Sequence, residues 1–252
     1  MSVVRKNWTR QQLLVAFNLY CQIPFGKLHS RNPQIIKYAE CIGRSSSALA
    51  MKLSNIASLD PTITSTGRKG LKAASAVDRK MWNEMQEDWE NFIFESEKAI
   101  AEIMNVDEKD KTYVHDDYIG KNRIIQTTAR VGQAFFRKAV LSAYNNRCCI
   151  TGLSEPKLLV ASHIIPWREN ESNRLNPRNG LSLSMLHDKA FDLGMITIDE
   201  DMTICVSKKN IINDSFFNAS IKIYNGKQIT LPEKFQPDEH FLEYHRRNIF
   251  ET

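Results

Sequence analysis

Three polar residues stand in a pattern that could do chemistry: His163, Asn179 and His187, spaced by 16 and then 8 positions. An imidazole is neutral near pH 7 and can take a proton from water or bind a divalent cation. An amide both donates and accepts hydrogen bonds without titrating, so it can fix a loop at any pH. Each residue alone has an ordinary reading, and a lone histidine at a strand end is usually a structural hydrogen-bonder. The case for chemistry therefore rests on the elements that bring the three together.

Those elements are legible in the local pattern. Residues 157–167, Lys-Leu-Leu-Val-Ala-Ser-His-Ile-Ile-Pro-Trp, predict a strand ending at a proline-marked turn. A polar loop spans Arg168 to Arg178, and Asn179 to Ser184 predicts a second strand. Met185 to Asp192 predicts a short helix capped by Ser184 and ended by Gly194. The order is strand, loop, strand, helix. His163 closes the first strand, Asn179 opens the second and His187 lies on the helix. An amphipathic helix over Val131 to Tyr144 precedes them, with Phe135, Phe136, Ala139, Val140 and Ala143 on one face.

The segment resembles the HNH endonucleases of the ββα-metal fold. The resemblance runs through Cys149-Ile150-Thr151-Gly152, Ala161-Ser162-His163-Ile164-Ile165-Pro166-Trp167, Asn179-Gly180-Leu181 and His187 to Gly194. It is nearest to the subgroup of bacterial restriction systems that carries a Ser-His-Ile-x-Pro-Trp element. The resemblance implies a metal-dependent hydrolase of phosphodiester bonds in double-stranded DNA. His163 would be the general base, Asn179 would orient it, and His187 would bind the metal, Mg2+ or Mn2+. Many relatives carry Asp or His just before the base, whereas this chain has Ser162, a weak ligand. Asp192 and Asp188 are further candidates for the metal shell, with water and phosphate oxygens filling the rest.

The N-terminal third reads as helical. Thr9 is a candidate cap for a helix carrying Leu13, Leu14, Ala16, Phe17 and Tyr20. Pro33 opens another helix at a first-turn position, where its missing N–H costs nothing. A third, led by serines, carries Leu49 and Leu53. Joined through Ile42-Gly43-Arg44-Ser45, these two have the outline of a helix-turn-helix. Two packed helices with a solvated face are the plainer alternative. A long helix is expected from Val77 to Glu102, striped by Trp82, Met85, Trp89, Phe92 and Ile93. Several stretches, including Ile23 to Lys27, Ile42 to Ser45 and Leu59-Asp60-Pro61, resemble the leading region of similar bacterial proteins. Candidate DNA contacts are Arg44, Ser46, Ser47 and Lys52, the basic loop residues Arg68 and Lys69, and Arg168, Arg174 and Arg178 between the motif strands.

The expected fold class is α+β. A helical DNA-recognition domain is expected over residues 1–104, a charged linker over 105–128 and the HNH nuclease domain over 129–252. Near the end, Ile221 to Tyr224, the turn Asn225-Gly226 and Gln228 to Thr230 predict a hairpin, and His240 to Phe250 a helix. His29, His115, His240 and His245 lack matching partners and are given no role.

Bulk properties narrow the alternatives. The 252-residue chain has a formal net charge of +5, which suits a polyanionic partner without naming one. No apolar run approaches the roughly 18 residues of a membrane span, and no signal peptide is visible. Five cysteines, an odd number, fit reduced thiols in a cytoplasm, and without a C-x-x-C pair a four-cysteine zinc site is not expected. One active site per chain implies a homodimer, or two sequential nicks, for a double-strand cut. Two other functions compete: a non-catalytic DNA-binding protein with a degenerate HNH fold, favoured by Ser162, and a nuclease toxin or one acting on RNA.

Overall fold

The computed structural model describes residues 7–67, 74–104, 121–209 and 214–251, with the side chains of 121–128 left aside. The expected phosphate contacts Arg68 and Lys69, most of the proposed linker, and His115 lie outside the described residues. The chain divides into two compact units, residues 1–135 and 136–252.

The first unit is helical. Helix α1 (Arg10–Gln22) buries every residue from Leu13 to Cys21. A helix buried on all sides must be central, and α3 (Ser46–Ala57) and α6 (Trp89–Ile103) pack against it. Thr9 caps α1 as its sequence predicts: its hydroxyl accepts from Gln12 N–H, and the Gln12 side chain accepts from Thr9 N–H. Helix α2 (Pro33–Cys41) begins with Pro33 in its first turn. Gly43 then turns the chain at φ +65°, a backbone that glycine adopts without penalty. Ser45 caps α3. A short α4 (Pro61–Ser65) follows.

One expected helix is two. The stretch from Val77 to Glu102 breaks at Asp88, which leaves α5 (Ala76–Glu87) and starts α6. Asp88 sits at φ −146°, and its carboxylate accepts from Asn91 N–H at 3.0 Å. Aspartate favours such a capping role over a helix interior because its short carboxylate competes for backbone donors. The apolar stripe survives the break, so periodicity alone did not reveal it.

Helix α7 runs from Lys121 to Ala143, so it starts inside the stretch expected to be a linker. The second unit then builds a small antiparallel pair from β1 (Leu159–His163) and β2 (Gly180–Ser184). Leu159 faces Ser184 and His163 faces Gly180. Helix α8 (Met185–Asp192) leaves β2 directly and packs on the pair. A second pair, β3 (Ile196–Ile198) and β4 (Ile204–Val206), follows. After α9 (Ser215–Ser220), the chain ends in α10 (Glu239–Asn248).

The expected hairpin at Asn225-Gly226 does not form. Lys222 to Tyr224 is a single 3-10 turn. Gln228 instead bridges to Thr203 beside β4. Ile221 is buried, whereas Ile223 is 54% exposed, so the segment never presents the alternating face that strand pairing needs.

Candidate active site

The site assembles where β1, β2 and α8 meet. Gly180 opens β2 opposite His163 because no larger residue fits there. A Cβ at this position would lie 2.4 Å from Val140 Cγ2 and 2.8 Å from Phe136 Cζ. Close approach of α7 therefore depends on this glycine, and it brings the Phe136 ring flat beneath the His163 imidazole, with centroids 3.8 Å apart. Trp167 meets the same imidazole edge-on at 5.4 Å.

His163 Nε2 lies 2.9 Å from the Arg174 carbonyl oxygen. A carbonyl only accepts, so Nε2 carries the proton and Nδ1 holds the lone pair. Burial lowers the His163 pKa, and the Arg174 carbonyl offsets part of that by favouring the protonated ring. The residue is thereby held neutral, in one tautomer, between two aromatic rings.

Asn179 is fully buried and closes the loop that supplies Arg174. Its Oδ1 accepts from Ile165 N–H at 2.8 Å, and its Nδ2 donates to the Ile165 carbonyl at 3.2 Å. Its own carbonyl accepts from Ile164 N–H at 3.0 Å. The amide thus binds both backbone groups of a residue two positions past His163, as only a side chain that donates and accepts can do.

His187 sits in the first turn of α8, where Ser184 caps the helix. Its Nδ1 is 2.8 Å from Ser184 Oγ, and its ring packs edge-on against Tyr224 at 5.4 Å. Its Nε2 is buried without a well-formed hydrogen bond. Burial lowers its pKa, and the nearby Ser220 backbone offsets part of the effect. Asp188 and Asp192 are one helical turn apart. Desolvation raises both, and the Asp188 charge raises Asp192 further. Ser162 Oγ is buried, makes no well-formed hydrogen bond and faces Asp188, whose pKa it lowers.

This donor chemistry suits a hard divalent cation in part. A buried imidazole nitrogen without a well-formed hydrogen bond and two mutually repelling carboxylates are groups that a cation would stabilise. Among the described residues no three His, Cys, Asp or Glu side chains converge.

The two comparisons bear on this segment. Residues 148–199 match the HNH endonuclease family. The matched HNH segment covers about a fifth of the chain, contains both strands of the first pair and α8, and lies wholly within the second unit. Among curated proteins, none matches the chain. The HNH segment contains His163, Asn179 and His187, so the resemblance seen in the residues and the family match coincide. No helix among the described residues is long and apolar enough to cross a membrane.

The expected DNA contacts scatter. Lys52 is not available to a nucleic acid: its ammonium is buried and held by Asp78 at 2.7 Å. The Arg44 guanidinium lies over the Trp8 ring, 4.7 Å from its centroid, and donates to Gln12 Oε1. Ser47 is exposed and Ser46 half-buried. Arg168 is exposed, Arg174 lies over the Trp167 ring at 5.2 Å, and Arg178 pairs with Asp238 at 3.2 Å.

Sequence reasoning missed Phe136 as the floor of the His163 site, the Arg174 carbonyl, and His245. Phe136 was visible only as one member of an apolar stripe. A backbone carbonyl leaves no trace in a sequence. His245 follows Leu242 by three positions on α10, a spacing that marks a shared buried face.

Proposed function

We propose that the second unit is a metal-dependent DNA endonuclease, working in a site- or modification-directed restriction enzyme of the bacterial type. The carrying observation is the His163 imidazole, fixed by the Arg174 carbonyl so that Nδ1 presents the lone pair. A residue kept neutral and in one tautomer is suited to take a proton from water as that water attacks phosphorus. Asn179 holds the Ile164–Ile165 backbone and so keeps the loop, its carbonyl and the imidazole in register.

A divalent cation, when bound, polarises the scissile phosphate and stabilises the leaving oxygen. His187 would hold it through Nε2, with Nδ1–H donating to Ser184 Oγ as metal-binding histidines commonly donate to a neighbouring acceptor. Asp188 and Asp192 are the nearest carboxylates in sequence for its shell, and Ser162 stands on the Asp188 side. The helical unit would select the site, with Ser47 and the partly exposed Arg44 among its contacts, and Arg168 would meet phosphate beside the cut. A homodimer would allow cleavage of both strands.

The test is cleavage of two plasmids, one unmodified and one carrying methylated cytosines, with Mg2+, Mn2+ or EDTA, beside His163→Ala. The expected result is metal-dependent cutting that falls roughly 10²- to 10⁴-fold in the variant, the usual worth of a general base, with DNA binding retained. Full activity in the variant would overturn the base assignment. Binding without cutting by the wild-type protein would favour a degenerate HNH fold that only binds DNA.

A further inference from the structure

The chain beyond the HNH segment grips both halves of the site. Helix α10 and the residues before it hold the loop that follows β1. Asp238 N–H donates to the Arg178 carbonyl at 3.1 Å, the Asp238 carboxylate pairs with the Arg178 guanidinium at 3.2 Å, and the Tyr244 hydroxyl donates to Glu169. The other side of α10 reaches the end of α8. His245 is buried, and its ring stacks on Phe191 with centroids 3.6 Å apart. Its Nε2–H donates to the Phe191 carbonyl at 3.1 Å, and the Thr197 hydroxyl donates to its Nδ1 at 2.9 Å. The acceptor-only carbonyl fixes this tautomer, as Arg174 does for His163.

The Phe191 carbonyl belongs to the last turn of α8 and accepts from Gly194 N–H at 2.9 Å just past the helix end. His245 adds a second donor from another element. The backbone after α10 completes the grip: Glu251 N–H donates to the Gly194 carbonyl at 3.0 Å, and a Cβ on Gly194 would stand 2.0 Å from the Ile249 carbonyl oxygen. Helix α8 carries His187, Asp188 and Asp192, and Phe191 follows His187 by one helical turn.

We propose that His245 is a positioning residue of the nuclease site, setting the pose of α8 through the Phe191 carbonyl while α10 holds the loop that follows the base-bearing strand at the same time. This rests on the endonuclease reading above. Groups that orient metal-binding residues are worth roughly 10- to 100-fold in metal affinity or activity when removed. The residue lies outside the segment that matches the family, so the matched segment alone would hold α8 incompletely.

The experiment uses the full chain with His245→Phe, His245→Gln and Thr197→Val, and Mn2+ as the probe ion. Phenylalanine keeps the stack on Phe191 and removes both hydrogen bonds. Glutamine can restore one donor and one acceptor. Thr197→Val removes a single bond from the far side of the ring, and it stands in for His245→Phe if that variant does not fold. The expected result is a 10- to 100-fold loss in kcat and in Mn2+ affinity for His245→Phe, an unchanged KM for DNA, recovery in His245→Gln and a smaller loss in Thr197→Val. Mn2+ affinity equal to wild type in both His245→Phe and Thr197→Val would overturn the proposal. Should the wild-type protein not cleave DNA, the endonuclease reading falls, while Mn2+ affinity measured by calorimetry still decides the role of His245.

Discussion

Ionisable groups withdrawn from water are treated in opposite ways at two places, Lys52 with Asp78 in the helical unit and His163 with His187 in the second. In the helical unit they are paired with each other. Lys52 meets Asp78, whose carboxylate also accepts from Ser75 N–H at 2.9 Å to close a capping box at the start of α5. The Tyr20 hydroxyl donates to Asp60 at 2.8 Å, and Asp60 in turn caps α4. In the second unit the buried imidazole of His187 has an Nε2 without a well-formed hydrogen bond, and the half-buried imidazole of His163 spends one nitrogen on a carbonyl and keeps a lone pair on the other. Pairing every atom stabilises a fold. Withholding one leaves a group that can act on something else, at a cost in desolvation.

Removing Lys52 breaks the comparison most severely on the structural side. Lys52→Ala leaves the Asp78 carboxylate buried without its cation, and such losses cost about 3–5 kcal/mol. Thermal unfolding of the full chain would show it as a large drop in Tm. A drop of a degree or less would mean that water reaches Asp78 and that the pair is not buried in solution.

Acidity sharpens the contrast from the other unit. Burial lowers the His245 pKa to about 4, against an ordinary value near 6.5. The unfolded chain then binds the proton more readily than the folded one between those values. Stability contributed by neutral His245 is present above pH 6.5 and is lost as pH falls from 6.5 toward 4, by about 3 kcal/mol in all. Unfolding measured across this range should be steeper in pH for wild type than for His245→Gln. Parallel curves would show that the imidazole is not held neutral by the fold.

Legibility in the sequence followed the range of the interaction. Thr9, Pro33, Ser45 and Ser184 announce helix starts because a cap acts within three residues of itself. The strand–loop–strand–helix order around His163, Asn179 and His187 was readable for the same reason. The break at Asp88 was hidden because the apolar stripe continues through it, and a capping aspartate looks like any exposed one. Lys52 was misread because its partner Asp78 is 26 residues away, on another helix. The Arg174 carbonyl and the His245 brace were out of reach altogether, since both act through main-chain oxygens that only the fold brings near.

Gly180 is where the structural and chemical sides of the comparison meet, and its substitution is the gentlest way to separate them. It faces His163 across the sheet, and its missing side chain is the space filled by Val140 and Phe136. Gly180→Ala places a methyl 2.4 Å from Val140 Cγ2 and 2.8 Å from Phe136 Cζ, so one of the two side chains must move. Overpacking of this kind costs about 1–3 kcal/mol, less than the loss expected at Lys52. The shift of Phe136 has a second effect, because its ring is the floor under His163. The expected outcome is a folded protein of lowered Tm whose kcat falls by more than its stability explains, with DNA affinity unchanged. If Val140 alone yields, Tm drops and cleavage stays as it was, and the Phe136 floor is then packing with no part in holding the base.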